Sequence, residues 1–481
     1  AAISTAGIAN MSTDQVAALA SNQVAALTTA QVKALTTAEV EALSSTQIDK
    51  LTATQVRAMS AAQVAAIETD DLVVMTDAQV AAFSTAAIAN MSTEQVATLA
   101  SNQVAALTTA QVKSLTTAQV EALTSEQIDK LSATQVGAMT SAQVKAIETD
   151  DLVLMTDNQV SAFSTAAVAN MSTDQVAALA SNQVAALTTA QVKSMTTAQV
   201  ESLTTGQIDK LSTTQVGAMT AAQVKAIETE DLELMSDSQV AAFSATAVAS
   251  MTTEQVSALA SNQVAALTTA QVKSLTTAQV ASLTTGQIDK LTTAQLTALS
   301  TAQVAAMETQ DFAKLTTDQM ASLSATQFKA LKTSQIESLT TDQAKALTTS
   351  QLAALSSAQM KAVETDDLAA MSTAQIRSIT STNIAAMSTV QVNKMTTDQV
   401  AALSNSQLKA MTTAQVAGMS TGQVKALTTA QVAGLSMAQV KAIETADLAE
   451  MTTDQITALS AANVAALSTS QVNNMTTAQV A

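Results

Sequence analysis

The chain of 481 residues contains no histidine, cysteine, tryptophan, tyrosine or proline, and only 8 glycines. Without histidine or cysteine it has no imidazole base, no thiol nucleophile and no zinc or haem ligand of the usual kind. We therefore predict that the protein is not an enzyme and has no cofactor and no small-molecule substrate. The absence of cysteine excludes disulfides but leaves the redox compartment open.

Basic residues and long apolar runs are also scarce. The chain has 21 Lys+Arg against 39 Asp+Glu, a formal charge of −18, so we predict no nucleic-acid partner. Serine or threonine interrupts the apolar residues every few positions, which predicts no transmembrane segment and no signal peptide. Hydrophobic residues at 47% are too many for a disordered acidic chain, and aromatic residues at 1% are too few for an ordinary globular core.

What the sequence does contain is one repeat of eight residues, typified by Leu27–Ala34, whose positions we label a to h. Position a recurs sixty times from Ile3 to Met475 and always holds a large apolar residue. Position f, from Ile8 to Val480, is apolar throughout, and Ala344 is its only small residue. Because the register never slips, we interpret the octad as one structural step.

A second period of ten octads is superimposed on the first. A Glu-Thr-Asp-Asp motif at Glu68 returns, with some changes, at Glu148, Glu228 and Glu308. The next copy, at Glu364, follows after only seven octads, so three octads are missing there without loss of register. We interpret the ten-octad block as a product of duplication and predict a single continuous array over residues 1–481.

Each octad carries the signature of a helix start. Position b is mostly Ser or Thr and position e mostly Gln, which together form a capping box, while a and f fit the hydrophobic staple. One uninterrupted helix is excluded, because eight residues advance about 800° and the apolar pair would drift by about 80° per octad. We predict a short helix from c to h in every octad and an all-α fold. The alternative is a β-solenoid, which Thr and Val favour and the abundant Ala, Gln, Met and Leu oppose.

The energetics predict how these helices associate. Burying two large apolar side chains contributes roughly 3 to 6 kcal/mol per octad, whereas ordering eight residues costs about 12 kcal/mol. No octad can therefore fold alone. We predict an α-solenoid with a and f inward and with the charged residues of d and g outward.

The Glu-Thr-Asp-Asp motif offers carboxylates that Ca²⁺ could use. Its weak calcium candidates are Glu68, Asp70, Asp71, Glu148, Asp150 and Asp151. The motif has no glycine-containing calcium loop, and a cap position followed by the first helical turn already suits negative charge. We therefore predict no metal site and no catalytic or cofactor-binding residue.

Three further rows of side chains admit more than one interpretation. The glutamines at e could form a ladder between turns or an exposed recognition row, but we interpret them as capping residues only. The threonines at c could form an ice-binding array or O-glycosylation sites. Phe83, Phe163 and Phe243 occupy position a, which favours a place in the core.

The run Leu-Thr-Thr-Ala-Gln-Val-x-Ala, complete at Leu27–Ala34 and varied at its last position in Leu107–Ser114 and Leu427–Gly434, resembles the short tandem repeats of very large bacterial secreted and surface proteins. The resemblance implies an extracellular or cell-surface location and a structural or adhesive role. It carries over no functional residue.

These observations lead to one functional hypothesis and two alternatives. We expect a rod- or filament-forming structural protein that associates end to end, as a homopolymer or as part of a longer repeat protein, because Ile3–Asn10 and Met475–Ala481 keep the interior pattern. The first alternative is a scaffold whose variable d and g positions bind a protein or glycan. The second is an ice-binding protein.

Overall fold

The computed structural model describes residues 3–480. In this part of the chain all regular structure is α-helical, with sixty helices of four to six residues and no β-strand. The predicted all-α class and the predicted helix in every octad are confirmed, and the β-solenoid alternative is wrong.

In the first half of the chain the helices are α1 (Thr5–Ile8), α2 (Thr13–Ala17), α3 (Ser21–Ala25), α4 (Thr29–Ala34), α5 (Thr37–Glu41), α6 (Ser45–Asp49), α7 (Ala53–Ala58), α8 (Ala61–Ala65), α9 (Thr69–Val74), α10 (Asp77–Val80), α11 (Thr85–Asn90), α12 (Thr93–Thr98), α13 (Ser101–Ala105), α14 (Thr109–Ser114), α15 (Thr117–Glu121), α16 (Ser125–Lys130), α17 (Ala133–Ala138), α18 (Ser141–Lys145), α19 (Thr149–Leu154), α20 (Asp157–Ser161), α21 (Thr165–Asn170), α22 (Thr173–Ala178), α23 (Ser181–Ala186), α24 (Thr189–Ser194), α25 (Thr197–Glu201), α26 (Thr205–Lys210), α27 (Thr213–Ala218), α28 (Ala221–Lys225), α29 (Thr229–Leu234) and α30 (Asp237–Ala242).

In the second half they are α31 (Ala245–Ser250), α32 (Thr253–Ala258), α33 (Ser261–Ala266), α34 (Thr269–Ser274), α35 (Thr277–Ala281), α36 (Thr285–Lys290), α37 (Thr293–Ala298), α38 (Thr301–Ala306), α39 (Thr309–Phe312), α40 (Thr317–Ser322), α41 (Ala325–Lys329), α42 (Thr333–Glu337), α43 (Thr341–Ala346), α44 (Thr349–Ala354), α45 (Ser357–Ala362), α46 (Thr365–Ala370), α47 (Thr373–Ser378), α48 (Ser381–Ala386), α49 (Thr389–Lys394), α50 (Thr397–Ala402), α51 (Asn405–Ala410), α52 (Thr413–Ala417), α53 (Thr421–Lys425), α54 (Thr429–Ala433), α55 (Met437–Ala442), α56 (Thr445–Glu450), α57 (Thr453–Thr457), α58 (Ala461–Ala465), α59 (Thr469–Asn473) and α60 (Thr477–Val480).

Two extended residues, at a and b, form the corner between successive helices. After α14, Leu115 has φ −56° and ψ 138°, and Thr116 has φ −73° and ψ 161°. No residue of the described range has a positive φ. The chain therefore turns each corner in backbone conformations that any L-residue adopts, so it needs neither glycine nor proline there.

Within each of the two compact units described below, each helix packs against the third helix along the chain, as in the series α8, α11, α14 and α17. Three octads therefore complete one turn. This arrangement is an α-solenoid with three helices per turn, which confirms the predicted architecture. The number of helices per turn is a new result, because the sequence interpretation left it open.

Internal contacts divide the chain into two compact units, one ending at Phe243 and one beginning at Ser244. Each unit, taken by itself, is built from the same three-helix turns. The prediction of a single continuous array over residues 1–481 stays a prediction.

Positions a and f form the core of both units. Val112 at f is 0% exposed and Leu115 at a is 5% exposed, and the other interior octads follow this pattern. Phe83, Phe163 and Phe243 are buried at a, as expected. The charged residues at d and g face outward, as Lys113 does. The acidic residues at e do not follow that rule, because Glu39 and Asp71 are buried.

Candidate functional site

The glutamine at e begins each helix together with the hydroxyl at b. In α14 the Thr108 N–H donates to Gln111 Oε1 at 2.7 Å, and the Gln111 N–H donates to Thr108 Oγ1 at 3.3 Å. This pair is the predicted capping box, and it recurs along both units. Four octads with alanine at b, such as that of Ala100, keep only the bond from the backbone N–H to the glutamine. The box therefore tolerates loss of the hydroxyl.

The same glutamine also reaches the preceding turn. Gln111 Nε2 donates to Phe83 O at 2.8 Å and to Val80 O and Ala81 O, each at 3.3 Å. These carbonyls end α10 and line the corner before α11, where a helix end leaves C=O groups without helical partners. One side chain thus satisfies the N-terminal end of one helix and the C-terminal end of another.

These bonds recur in most interior octads, so the e glutamines that follow one another at intervals of three octads form a row along each corner, which we call the glutamine ladder. Octads with another residue at e, such as those of Asp71 and Ala87, interrupt the row. In the second unit Gln399 Nε2 donates to Leu368 O at 2.8 Å and to Met371 O at 2.7 Å. The interpretation that capping alone explains the glutamines is therefore wrong. The sequence contained one signal that position e has a role besides capping. Glutamate serves a capping box as well as glutamine does, yet Glu39 is the only glutamate at e.

In the first turn of the described residues, the glutamines of the ladder make no bonds to carbonyls of a preceding turn. The Oε1 atoms of Gln15 and Gln23 accept backbone N–H bonds, but both side chains are exposed, and no acceptor for their Nε2 atoms lies within residues 3–480. Gln31 is the first to reach back, to Ile3 O at 2.6 Å. We call this surface, with Gln15 and Gln23, the donor edge.

The last turn of the described residues shows the opposite set of groups. Val464, Val472 and Val480 at f are 48%, 45% and 64% exposed, whereas Leu448, in an earlier turn, is 0% exposed. No glutamine of the described range donates to the carbonyls of Val464 or Leu467, while Leu448 O still accepts from Gln479 Nε2 at 3.1 Å. We call this surface the acceptor edge. It offers the carbonyls and the apolar face that a donor edge would cover.

The calcium candidates fall into two groups that lie in different environments. Glu68 and Asp70 lie at b and d on the outer surface, and so do Glu148 and Asp150. Asp71 and Asp151 at e are buried between turns. Asp151 Oδ1 accepts a hydrogen bond of 2.6 Å from Ser125 Oγ in the octad one turn earlier.

Nothing in this arrangement assembles a metal site. Within residues 3–480 no three Asp, Glu, His or Cys side chains are placed to share one metal ion. Glu68 is an N-cap residue but makes no side-chain capping bond, so the acidic octad has lost its capping box. Calcium binding at these residues stays a hypothesis without geometric support.

Within residues 3–480, two buried carboxylates have an oxygen atom without a hydrogen-bond partner. Glu39 Oε2 accepts from the Thr36 N–H at 2.6 Å, but Glu39 Oε1 has no hydrogen-bond partner. Asp367 Oδ1 accepts from Thr341 Oγ1 at 2.9 Å, and Asp367 Oδ2 has none. Burial raises the pKa of Asp367 above its ordinary value, the Thr341 hydrogen bond lowers it, and the charges of Glu364 and Asp366 raise it further.

No helix in the described part of the chain has the length and apolar character that a membrane crossing requires.

The sequence model of the ALTTAQ repeat matches the chain repeatedly from end to end. The matched segments are 1–29, 29–61, 64–101, 99–133, 144–189, 176–213, 224–261, 257–293, 288–325, 325–357, 360–397, 379–405, 400–437 and 440–477. No curated protein matches the chain. The matched family is thus defined by its repeat and not by a catalytic motif.

Proposed function

Because the chain belongs to the ALTTAQ repeat family, we propose that it is a non-catalytic structural protein that forms rods or filaments at a bacterial surface or in an extracellular matrix. The observation that supports the proposal is that the first described turn has a donor edge and the last described turn has a complementary acceptor edge. Within each unit the interior turns cover their neighbours in the same way, so a turn edge is a binding surface for another turn of the same kind.

Each edge is complementary to the other edge but not to a second copy of itself. The donor edge presents the amide donors of Gln15 and Gln23, and the acceptor edge presents the carbonyls of Val464 and Leu467 beside exposed valines. Two donor edges would leave their amides without acceptors, and two acceptor edges would place carbonyl against carbonyl. Head-to-tail stacking of one edge on the other is therefore favoured, and such a contact propagates into an open filament.

The partner at each edge is a further run of octads, carried by the same polypeptide or by a second copy. Stacking would bury the three exposed f valines and would give each edge glutamine the acceptors that Gln111 has inside the first unit. Both gains are of the kind that holds neighbouring turns of a solenoid together.

Analytical ultracentrifugation of the 481-residue chain over a concentration series tests head-to-tail assembly. We expect association that increases with concentration and weakens in the variant Gln15→Ala/Gln23→Ala and in the variant Val464→Ser/Val472→Ser. Asn22→Ala, at an exposed d position beside Gln23, is the matched control and should associate like the unmodified chain. A monomer that does not change with concentration would contradict the assembly proposal.

The proposed location needs a separate test. Protease treatment of intact cells of the natural host should remove the protein, while a cytoplasmic marker protein stays intact. Complete protection of the protein in intact cells, with digestion only after lysis, would contradict the surface or matrix location.

A further inference from the structure

Exposed aliphatic side chains are concentrated in the acidic octads of the first unit. Away from the two turn edges, the large apolar residues exposed in the described range are Val73 (48%), Val74 (44%), Val153 (46%), Leu154 (55%), Leu234 (64%), Val390 (59%) and Met437 (56%). The first five occupy g or h of the octads that begin at Ile67, Ile147 and Ile227. Most other octads hold Ala, Ser, Lys or another small or polar residue at these positions.

These octads place acidic and aliphatic side chains at opposite ends of one exposed helix. In α19 the exposed residues Glu148 and Asp150 stand at the start, and Val153 and Leu154 stand at the end. A six-residue helix is about 9 Å long, so a short peptide segment can contact both ends. The helix α9 repeats the arrangement with Glu68, Asp70, Val73 and Val74.

The helices stacked on either side add negative charge to the same surface. The helix α19 packs between α16 and α22, which carry the exposed residues Asp129 and Asp174. Lys130 lies there too, in an ion pair with Asp129. Beside the start of α19 is a groove of about 510 Å³ whose lining includes Glu121, Lys145, Glu148, Asp150 and Asp174. A concave and mainly acidic surface thus lies at the start of α19, and the aliphatic pair lies at the other end of the same helix.

Charge complementarity identifies the occupant of this surface. A second copy of the chain would bring carboxylates against carboxylates, because the same octads carry both the acids and the aliphatic residues. We propose that the exposed aliphatic residues of these three octads, a pair in α9 and in α19 and Leu234 beside Glu233 in α29, are docking sites for a basic segment of a partner protein that carries aliphatic side chains. Its Lys or Arg groups would face the acidic end of the helix, and its Leu, Ile or Val would cover the exposed pair.

The ten-octad spacing distributes the sites around the first unit. A turn takes three octads, so ten octads are three turns and one octad more, and successive sites lie on successive faces. At the 8–10 Å that separates packed helices, they lie about 30 Å apart along the unit. A partner with several basic segments would gain avidity by engaging more than one site.

The second unit contains natural controls for the aliphatic contribution. Its acidic octads end in Ala313 and Lys314, in Ala369 and Ala370, and in Ala449 and Glu450 instead of an aliphatic pair. A groove of about 750 Å³ is present beside Glu308, but Gln310 replaces the second acid, and Lys332 is part of its lining. The docking sites are therefore confined to the first unit.

A fluorescein-labelled amphipathic peptide made of Lys and Leu is the probe, and its binding to the full chain is measured by fluorescence anisotropy and calorimetry. We expect three sites per chain. The variant Val73→Ser/Val74→Ser/Val153→Ser/Leu154→Ser/Leu234→Ser should bind the peptide about tenfold more weakly, because the apolar contact is lost while every charge remains. All five positions are exposed, so the helical circular dichroism should not change.

Two controls separate this site from general attraction of a cation to an acidic protein. Val390→Ser/Met437→Ser removes the two large exposed apolar residues of the described range that lie outside both the acidic octads and the turn edges, and it should leave binding unchanged. A peptide with serine in place of leucine should bind the unmodified chain and the five-site variant equally weakly. Equal affinity of the unmodified chain and the five-site variant for the Lys–Leu peptide, or a stoichiometry unrelated to three, would overturn the proposal.

Discussion

At the scale of single residues, Glu39 shows what the amide group of glutamine contributes. Gln47, in the next octad, donates through Nε2 to Leu19 O at 2.7 Å in the preceding turn. Glu39 keeps the capping bond but has no donor for the preceding turn, and its Oε1 atom is buried without a partner. We predict that Glu39→Gln adds the missing bond, to Met11 O, and stabilises this part of the chain by about 1–3 kcal/mol.

Hydrogen exchange with mass spectrometry is the suitable measurement for Glu39→Gln, because repeat arrays open locally and do not unfold in one step. Amides of α2 and α5 should exchange more slowly in the variant. Glu41→Gln, at an exposed g position of the same helix, removes the same charge and should have little effect. Equal protection in the two variants would show that charge, and not the ladder, controls stability here.

Asp367 gives the second unit a dependence on pH. Burial, partly offset by the Thr341 hydrogen bond, raises its pKa in the folded protein above the ordinary aspartate value of about 3.9. The folded state therefore binds the proton more tightly than the unfolded state does. Stability of the α46 region should increase as the pH falls from neutral through the raised pKa, and the gain should be complete below the ordinary value.

The pH effect is measured as the opening free energy of α46 from hydrogen exchange at several pH values, after correction for the intrinsic exchange rates. Other carboxylates titrate in the same range, so the informative quantity is the difference from Asp367→Asn, which has no titrating group at this position. The neighbouring Asp366→Asn, at an outer d position, should keep most of the slope. An identical slope in Asp367→Asn and the unmodified chain would contradict the assignment.

At the scale of the helix, the sequence was sufficient to predict that every octad contains a helix and that it begins at c, but many helices end at f or g instead of the predicted h, as α10 and α15 do. The hydroxyl at b and the glutamine at e locate the helix start, and Thr108 and Gln111 form the expected bonds. The alternation of a and f identifies the buried residues, as Val112 and Leu115 show. These features are local, because each depends on residues within one octad.

The arrangement of helices in a turn could not be predicted in this way. It depends on the corner dihedral angles of residues such as Leu115 and Thr116, which a hydrophobic pattern does not specify. The ladder was missed for a related reason, since its bonds join residues in different turns, as Gln111 and Phe83 show. The acidic candidates were grouped by sequence, but Asp70 lies on the outer surface while Asp71 is buried between turns.

At the scale of the whole molecule, the turn length explains one irregularity in the duplication. Within the second unit the acidic octads are separated by seven octads between Glu308 and Glu364 and by ten between Glu364 and Glu444. The difference of three octads is one complete turn. Removal of a whole turn leaves each later octad on the face of the unit that it occupied before, so the order of faces is preserved.

This argument predicts which deletions the array tolerates. Deletion of positions 107–130 removes three octads. Gln135 then follows Phe83 at the same sequence separation as Gln111 does in the parent chain, so its Nε2 atom should donate to the same carbonyls. After deletion of positions 107–114, which are one octad, Gln119 does the same. Both proteins should keep their helical content and a thermal midpoint within a few degrees of the parent value, because every remaining octad still finds a neighbour three octads away.

Deletion of positions 107–110, half an octad, is the matched test, although it removes less of the chain than either of the others. It takes away Leu107 at a and the N-cap Thr108, so Gln111 has no hydroxyl to pair with and Val112 is displaced from the f row by half an octad. Circular dichroism should show local loss of helix, and hydrogen exchange should show faster exchange around positions 80–115. If the half-octad deletion were as stable as the one-octad deletion, the octad would not be the indivisible step of this fold. If the one-octad and three-octad deletions were themselves unstable, the stacking would depend on particular octads and not on the repeat.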